Sequence, residues 1–357
     1  MLRLDWYIIR KFLGTFFFSI VLILSIAIVF DLTEKLDNFF EHQVPLREII
    51  VDYYIPFIPY YMNMFSSLFI FISVIFFTSK LAGNSEIIAM HAAGMSYHRL
   101  MVPYAISATI LFVLSFVMAG WVIPNSSARM LNFTDKYVER FTKENARNIQ
   151  MEVTPGTLLY IESFQRRSKI GYRCSVEQYE GKTLVSRTTA DRIYYDSLQY
   201  WHLDNYTKRT FDEMVETLES GPRLDVELPI YPEELFITAQ EAQQMTNPEL
   251  REYMERQRAR GAGNVKAFEV EYHKRWASPL GAFIMTLLGV TLSSRKVRGG
   301  MGKNLGIGIV LTALYILFST VSTTFSVKNV MSPFMAAWLP NLVFLAISIP
   351  LYIRASK

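Results

Sequence analysis

The chain has 357 residues, and only 19% are charged, below the share of about a quarter that is usual for soluble proteins. Its formal net charge of +4 is too small to indicate a protein that binds nucleic acid. The single cysteine, Cys174, excludes an intrachain disulfide framework and is expected to be a buried small residue. The five histidines lack the spacing of metal ligands, so we predict no metal site and no cofactor.

Six long stretches contain no Asp, Glu, Lys or Arg and are rich in Phe, Ile, Leu, Val and Met. They cover residues 12–30, 53–79, 100–128, 276–294, 304–327 and 329–353. A helix needs about 20 apolar residues to cross a bilayer core, and soluble core helices are shorter and have a polar face. We therefore predict an integral membrane α-helical protein with six transmembrane helices, three before and three after a large insertion. The first stretch lacks an obvious cleavage site, so it is expected to be a span and not a signal peptide.

The charges outside these stretches predict the orientation. With the N-terminus in the cytoplasm, the cytoplasmic segments contain 11 basic residues and two acidic ones, whereas the two short outer loops contain three basic and six acidic residues. This is the positive-inside pattern, and it predicts two cytoplasmic termini and an insertion on the opposite side. The spans themselves lack ionisable carboxylates, Lys and Arg, which disfavours a proton- or sodium-driven carrier.

A short cytoplasmic helix is predicted between spans two and three, where residues 83–94 read GNSEIIAMHAAG. Ser85 is a good N-cap residue, Glu86 places negative charge at the positive helix end, and Gly94 is a natural terminator. One side of this helix would carry Ile87, Met90 and His91. A helix of about two turns is not stable alone, so it needs a partner surface. The residues leave the alternative open that it only turns the chain at the membrane surface.

The insertion, residues 129–275, carries 22 basic and 24 acidic residues and is expected to be water-soluble. Residues 129–144 predict a helical extension of span three, and 249–260 and 265 onward predict two further helices. Strands are predicted at 157–163, 172–179, 184–190, 192–195, 200–205, 207–211, 224–228 and 235–237, with a hairpin around Asp204 and Asn205. Short strands separated by turn signals predict an all-β, jelly-roll-like domain.

Several motifs together resemble one family of membrane proteins. Residues 85–96, SEIIAMHAAGMS, are similar to a coupling helix of the form S-E-hydrophobic-hydrophobic-x-M-x-A-x-G. The other similar positions are Trp121-Val-Ile-Pro124 with Asn132, the segment KRWASPL at 274–280, Tyr315, Pro333 and Pro340. Over nearly its full length the chain resembles the lipopolysaccharide export permeases of the LptF/LptG (YjgP/YjgQ) family. Its C-terminal part is more similar to the G paralogue than to the F paralogue.

The resemblance implies a permease subunit of an ATP-driven ABC transporter in the bacterial inner membrane, and not an enzyme. Its expected partners are a sister permease subunit, two copies of a cytoplasmic ATPase, a periplasmic jelly-roll bridge protein and lipopolysaccharide. The implied domains are 1–128 with the coupling helix 85–94, a periplasmic β-domain at 129–275, and 276–357.

The resemblance also implies two sets of functional residues. Contacts to the ATPase would come from Glu86, Ile87, Met90, Ala93 and Gly94. Lipid contacts would come from the apolar residues Phe30, Phe57, Met64 and Tyr315 and from the basic residues Lys35, Arg47, Arg129 and Lys136. The chain departs from the family at the outer end of span two, where some members carry a Lys and this chain has Tyr60 or its neighbours.

Two other functions are carried as alternatives. The first is a membrane-anchored binding or assembly protein without transport activity, in which the helix at 85–94 would be dispensable. The second is a membrane enzyme acting on lipids, whose catalytic groups would have to come from the acidic segment 31–41, which is typical of an ordinary loop. The sequence contains neither a nucleotide-binding loop nor a hydrolase motif.

Overall fold

A computed structural model describes residues 3–138, 145–165, 168–181, 183–196, 200–212, 215–232, 235, 241–259, 265–295, 300–327 and 330–356. The chain divides into two compact units. The first consists of Met1–Met130 and Glu269–Lys357, and the second is Leu131–Phe268. The first unit holds the apolar helices and the second holds the β-strands.

The chain begins with a series of helices. They are α1 (Arg3–Glu41), α2 (Leu46–Glu48), a π-helical segment (Ile49–Tyr54), α3 (Ile55–Met64), α4 (Ser66–Gly83), α5 (Glu86–Ala92), α6 (Tyr97–Val117), a π-helical turn (Met118–Val122) and α7 (Ile123–Tyr137). Helix α1 covers the acidic segment 31–41, so the prediction of a loop there is wrong. Residues 15–44 contain neither Gly nor Pro, and nothing in them stops a helix that the apolar stretch has started.

The second predicted span is not one regular helix. Phe65 leaves the α-helical region, with φ −97° and ψ 6°, and separates α3 from α4. The backbone nevertheless continues in the same hydrogen-bonding pattern, because Phe65 N–H donates to the carbonyl of Tyr61 and Phe69 N–H donates to that of Phe65. The break is therefore a local irregularity and not a reversal of the chain.

The remaining helices follow the insertion or form its last part. They are α8 (Asn247–Ala259), α9 (Val265–Ala277), a 3-10 turn (Ser278–Leu280), α10 (Gly281–Ser293), α11 (Gly300–Val327) and α12 (Pro333–Ser356). Among the described residues, six helices are long and apolar enough to cross a membrane. They are Arg3–Glu41, Ser66–Gly83, Tyr97–Tyr137, Val265–Ser293, Gly302–Val327 and Pro333–Ser356, called spans one to six below. The prediction of six spans is confirmed. The predicted extension of span three is seen to Tyr137, and residues 139–144 lie outside the described part.

Spans two and four form the packed centre of the first unit. Their fully buried side chains are Phe71, Val74 and Ile75 on α4 and Met285, Leu288 and Val290 on α10. A Cβ atom on Gly289 would lie 2.7 Å from Val74 Cγ1, so the absence of a side chain there lets the two helices approach closely. Small residues are the usual means of close helix packing in a membrane, where the solvent is as apolar as the side chains.

Buried polar side chains add hydrogen bonds between the spans. Tyr315 on α11 donates to Asn341 Oδ1 on α12 at 2.8 Å, and Asn341 Nδ2 donates to the carbonyl of Ala277 at 2.6 Å. The hydroxyls of Thr78 and Tyr104 lie 2.8 Å apart and connect α4 to α6. Each bond satisfies polar groups that would be costly to leave unpaired in this environment.

The second unit contains a six-stranded antiparallel sheet. Its strands are β1 (Asn145–Thr154), β2 (Thr157–Gln165), β3 (Ile170–Glu180), β4 (Thr183–Tyr195), β5 (Tyr200–Asp212) and β6 (Val215–Glu227). The inserted β domain is confirmed. The described strands form a meander, because they pair in the order β1-β2-β3-β4-β5-β6, and this topology is simpler than the predicted jelly roll. The described strands therefore lack the crossovers of a Greek-key jelly roll.

Several strand predictions, including the hairpin around Asp204 and Asn205, are wrong. The segments 184–190 and 192–195 form the single strand β4, and 200–205 and 207–211 form the single strand β5. Asn205 has the left-handed φ of 54° that favours a turn, but β5 continues through it and pairs with β4 on both sides. Strand β1 was missed, and Leu235 lies outside any strand, while residues 236 and 237 are not described.

One face of the sheet packs around Trp201, which is fully buried and donates from Nε1 to the carbonyl of Ile230 at 3.3 Å. Phe164 and Tyr195 contact the indole ring, with centroids 6.0 and 5.2 Å away. Cys174 is buried in the same cluster, as predicted for a small core residue. Burial raises the pKa of its thiol to about 12.

Candidate functional site

The short helix α5 begins differently from the prediction. Ser85 has a left-handed backbone with φ 62°, and its side chain makes no capping hydrogen bond to the helix. The predicted N-cap role of the Ser85 hydroxyl is therefore wrong. Asn84 Nδ2 instead donates to Glu86 Oε1 at 3.1 Å, which holds the carboxylate beside the first turn. Negative charge is favourable at this end of a helix.

The end of α5 follows the prediction. Gly94 has φ +88°, which a residue with a side chain rarely adopts. Its N–H donates to the carbonyl of His91 at 2.9 Å, and Met95 N–H donates to that of Met90 at 3.1 Å. This pair of bonds is a Schellman motif, so Gly94 fixes the place at which α5 stops.

The two faces of α5 have different surroundings. Ile87 is only 2% exposed and belongs to the apolar core of the membrane unit, and Met90 packs against that core. Ile88 is 55% exposed, and Ala89, Ala92 and Ala93 are also exposed. His91, which was predicted on the same side as Ile87 and Met90, is exposed, and its Nδ1 lies within hydrogen-bonding distance of the carbonyl of Met95.

An ion pair connects the start of α1 to the start of α6, the helix that follows α5. Arg99 Nη2 donates to Asp5 Oδ2 at 2.7 Å, and Asp5 is buried. The bond joins the first turn of α1 to the first turns of α6. It was not predicted, although these two residues lie in segments that the charge pattern had placed on the same membrane side.

The apolar residues expected to contact lipid fall into two groups. Phe30 and Met64 are 73% and 57% exposed, so their side chains are accessible on the surface of this chain. Phe57 and Tyr315 are buried, and Tyr315 is engaged with Asn341. The structure therefore presents the first pair to an external ligand and places the second pair inside the membrane unit.

The basic residues expected to contact lipid also differ. Arg47 and Arg129 are exposed in the membrane unit. Lys136, in the other unit, is exposed with its Nζ 4.5 Å from the centre of the Tyr137 ring. Lys35 is engaged internally: its ammonium group contacts Asp31 Oδ1 and the Tyr53 hydroxyl, and it lies 4.8 Å from the Tyr53 ring centre.

Asp31 is the centre of the Lys35 cluster. It accepts hydrogen bonds from the hydroxyls of Tyr53 at 3.0 Å and Tyr54 at 3.3 Å, besides the contact with Lys35. The carboxylate neutralises the lysine, so the cluster as a whole carries no net charge. Asp31 and Lys35 are four residues apart on a helix, and this spacing could have predicted the ion pair from the sequence.

A row of aromatic rings continues from this cluster, and sequence reasoning did not identify it. Consecutive ring centroids lie 6.0 Å apart for Tyr54 and Phe57 and 4.0 Å apart for Phe57 and Tyr61. Tyr61 and Phe65 follow at 6.3 Å. The rings recur every three or four residues, which places them on one side of the helical stretch that runs from Tyr54 through α3 to Phe65. The row explains why Phe57 is buried, since its neighbours cover both of its sides.

These features define the class of the protein. It is a multi-pass membrane protein with six apolar helices, an antiparallel β domain inserted after the third, and a short, half-exposed helix between the second and third. Within the described residues, no group of three or more His, Cys, Asp and Glu side chains could hold a metal ion.

The family described as "Lipopolysaccharide export system permease LptF/LptG" matches residues 6–354 of the chain. The chain belongs to this family, which confirms the resemblance seen in the sequence. It is an inner-membrane permease of the lipopolysaccharide export system, a transporter component that works with other components of that system. No individual curated protein matches it.

Proposed function

We propose that the chain is one of two membrane subunits of an ATP-driven transporter. The transporter extracts lipopolysaccharide from the inner membrane and passes it to a periplasmic bridge protein toward the outer membrane. Its other parts are the sister permease subunit and two copies of a cytoplasmic ATPase. The positive-inside charge pattern supports an orientation with both termini and α5 in the cytoplasm and the β domain in the periplasm. The assignment to the G paralogue stays a prediction, because the matching family includes both paralogues.

The observation that carries the proposal is the division of α5 into an anchored face and an exposed face. Ile87 and Met90 attach the helix to the apolar core of the membrane unit. Ile88, Ala89 and Ala92 are exposed on a helix of seven residues, which needs a protein surface to be stable. Small side chains allow another backbone to approach closely. This combination supports docking of the ATPase on the exposed face.

In this proposal the coupling residues have separate roles. Glu86 pairs with a basic residue of the ATPase, and Ala93 and Gly94 lie at the exposed end of the contact. Ile87 and Met90 do not touch the ATPase; they transmit its displacement to the spans, because they are packed in the core. ATP binding would then favour one arrangement of the membrane subunits over another through α5.

For the lipid, we propose that acyl chains contact Phe30 and Met64, whose side chains are accessible. Phosphate groups would contact the exposed guanidinium groups of Arg47 and Arg129. Phe57 and Tyr315 support this surface from behind. Lys35 reaches a phosphate only if it exchanges Asp31 for the ligand, since the two residues are paired.

The β domain supports a role in transfer through its sheet edges. In the described sheet, β1 and β6 are the two edge strands. Edge strands present unpaired backbone groups, and a partner can add a strand to them. We propose that the bridge protein, itself rich in β-strands, joins the sheet at one of these edges.

The proposal is tested by purifying the tagged chain from its native membranes and measuring co-purified ATPase and lipopolysaccharide release. Ile88→Glu is expected to remove the ATPase from the complex, because it places a charge on the exposed apolar face. Leu218→Glu is the matched control for ATPase retention alone, since Leu218 is 60% exposed on β6, lies far from α5 in the chain, and belongs to a strand proposed to bind the bridge protein. A complex that keeps its ATPase and its lipid release with Ile88→Glu would contradict the proposal.

A second pair of variants tests coupling after docking. Glu86→Ala is expected to weaken the response of ATP hydrolysis to lipopolysaccharide while the chain remains folded. Gly94→Leu is expected to do the same and to cost roughly 1–2 kcal/mol locally, because a residue with a side chain is strained at φ +88°. Unchanged coupling in both variants would indicate that α5 only turns the chain.

A further inference from the structure

A groove of about 650 Å³ lies near the N-terminal end of α1, separate from the residues assigned to coupling or to lipopolysaccharide. Its lining residues are Tyr7, Arg10, Lys11, Gly14, Thr15 and Phe18 of α1 and Phe76 of α4. The α1 residues recur every three or four positions, so they form one face of the helix. Both helices belong to the membrane unit.

One end of the groove is basic. Arg10 and Lys11 are exposed, and neither forms an ion pair with a described residue. Two basic residues of the membrane unit are instead paired, Lys35 with Asp31 and Arg99 with Asp5. A carboxylate does occur nearby, since Glu86 interacts with the Tyr7 hydroxyl and also accepts from Asn84.

The other end of the groove is apolar and open. Phe18 is 68% exposed and Phe76 is 39% exposed. Between the two ends, a Cβ atom on Gly14 would meet nothing within 4 Å, so this residue leaves space along the helix surface. Lys11 directly precedes the charge-free stretch 12–30, which places the basic end where the apolar part of the membrane begins.

A ligand for this groove must carry negative charge at one end and hydrocarbon at the other. Basic pockets between transmembrane helices bind the head groups of anionic lipids. A free phosphate ion would pair with the cations but would leave the apolar surface of Phe18 and Phe76 uncovered. We propose that the groove binds an anionic phospholipid, with its phosphate at Arg10 and Lys11 and the start of an acyl chain along Gly14, Phe18 and Phe76.

The test uses the delipidated full chain in detergent, titrated with dioleoylphosphatidylglycerol or dioleoylphosphatidylcholine, with bound lipid counted by native mass spectrometry. The wild-type chain is expected to prefer phosphatidylglycerol. The double variant R10Q/K11Q should bind it roughly 10- to 30-fold more weakly, as expected for the loss of two cations near a membrane surface. Gly14→Leu keeps both cations but fills the groove, and a loss of about tenfold is expected, corresponding to about 1.4 kcal/mol.

The control is the double variant K303Q/R354Q, which removes the same charge from spans five and six and should keep wild-type affinity. Circular dichroism and a single peak in size exclusion confirm that each variant is folded. Three results would overturn the proposal: phosphatidylglycerol binding that survives R10Q/K11Q, binding that is insensitive to Gly14→Leu, or binding that millimolar inorganic phosphate displaces. The second result would show a diffuse surface charge effect, and the third would show a site for free anions.

Discussion

The central and peripheral spans of the membrane unit differ in how much of their surface this chain covers. In the most apolar 18-residue stretch of spans two and four, 61% and 67% of the residues are buried. In spans one and five only 22% are buried, although these stretches are more hydrophobic. Hydrophobicity therefore does not indicate which helix is central. Within the central pair, the absence of a side chain at Gly289 lets α10 pack closely against α4.

Because this chain covers the central spans and leaves the peripheral spans exposed, substitutions in the first set should change stability and substitutions in the second should change binding. The central pair is held by contacts within this chain, so substitutions there should unfold it. The peripheral spans expose large apolar residues such as Phe18 and Phe30 on α1 and Leu317 on α11, which are available to lipid and to a second membrane subunit. Substitutions on those surfaces should leave the chain folded and change what it binds.

The largest expected effect comes from Phe71→Ala in the central pair. Phe71 is fully buried between α4 and its neighbours, and its truncation leaves a cavity. We expect a loss of about 3 kcal/mol in the free energy of unfolding, near the lower end of values for Phe→Ala, because the membrane-dissolved unfolded state is also apolar. Phe30→Ala removes an equal side chain from an exposed position and should change stability by less than about 0.5 kcal/mol.

Both Phe variants are measured by reversible unfolding of the purified chain in mixed micelles. Under the proposed function, Phe30→Ala should still lower lipopolysaccharide release, whereas Phe71→Ala should lower release only in proportion to the folded fraction. Equal stability losses in the two variants would remove the distinction between central and peripheral spans.

A second, intermediate effect is expected from glycine substitutions. A side chain at Gly289 would meet Val74 and Phe71, at 2.7 and 3.2 Å from its Cβ, so Gly289→Leu should cost about 1–3 kcal/mol by forcing α10 away from α4. Gly306 on α11 has no atom within 4 Å of its Cβ position. Gly306→Leu should be neutral or stabilise the helix by up to about 1 kcal/mol. Thermal unfolding in detergent gives both values, and a reversed order would contradict the packing described for the two glycines.

The smallest expected effect is that of Tyr315→Phe, which tests whether Tyr315 has a structural role inside the membrane unit or contacts lipid directly. The variant loses the 2.8 Å hydrogen bond to Asn341 and leaves the amide oxygen without this donor. We expect a loss of about 1 kcal/mol in the free energy of unfolding. Tyr60→Phe is the matched control, because the Tyr60 hydroxyl makes no hydrogen bond with a described residue. A change in lipid release without any change in stability would instead make Tyr315 a direct lipid contact.

The spans were predictable because the absence of charge over a length that crosses a bilayer is a local property of the sequence. Their exact ends were not. The charge-free stretch 12–30 underestimates α1, since a helix propagates through acidic residues such as Asp31 and Glu34 when no Gly or Pro stops it. No local feature of the sequence comparable to the absence of charge predicts the irregularity at Phe65. In the β domain, Asn205 has the backbone of a turn residue, but β5 pairs with β4 on both sides of it and continues as one strand.

Only part of the candidate site was predictable from the sequence. Gly94 was identified as the end of α5 because only glycine adopts its backbone conformation readily, which is a local requirement. The orientation of α5 was not predictable, because Ile87 and Ile88 are adjacent and chemically identical. Only tertiary packing decides that Ile87 is buried and Ile88 is exposed. The burial of Phe57 likewise depends on rings from several turns of the chain.

Photo-crosslinking from α5 in native membranes tests the central proposal most directly. A benzophenone amino acid at Ala92, on the exposed face, is compared with the same residue at Leu317, which is 61% exposed on span five. We expect Ala92 to crosslink to a soluble ATP-hydrolysing protein and Leu317 not to do so. Crosslinks from Ala92 only to lipid would contradict the coupling role of α5, and crosslinks to a periplasmic protein would contradict its orientation as well.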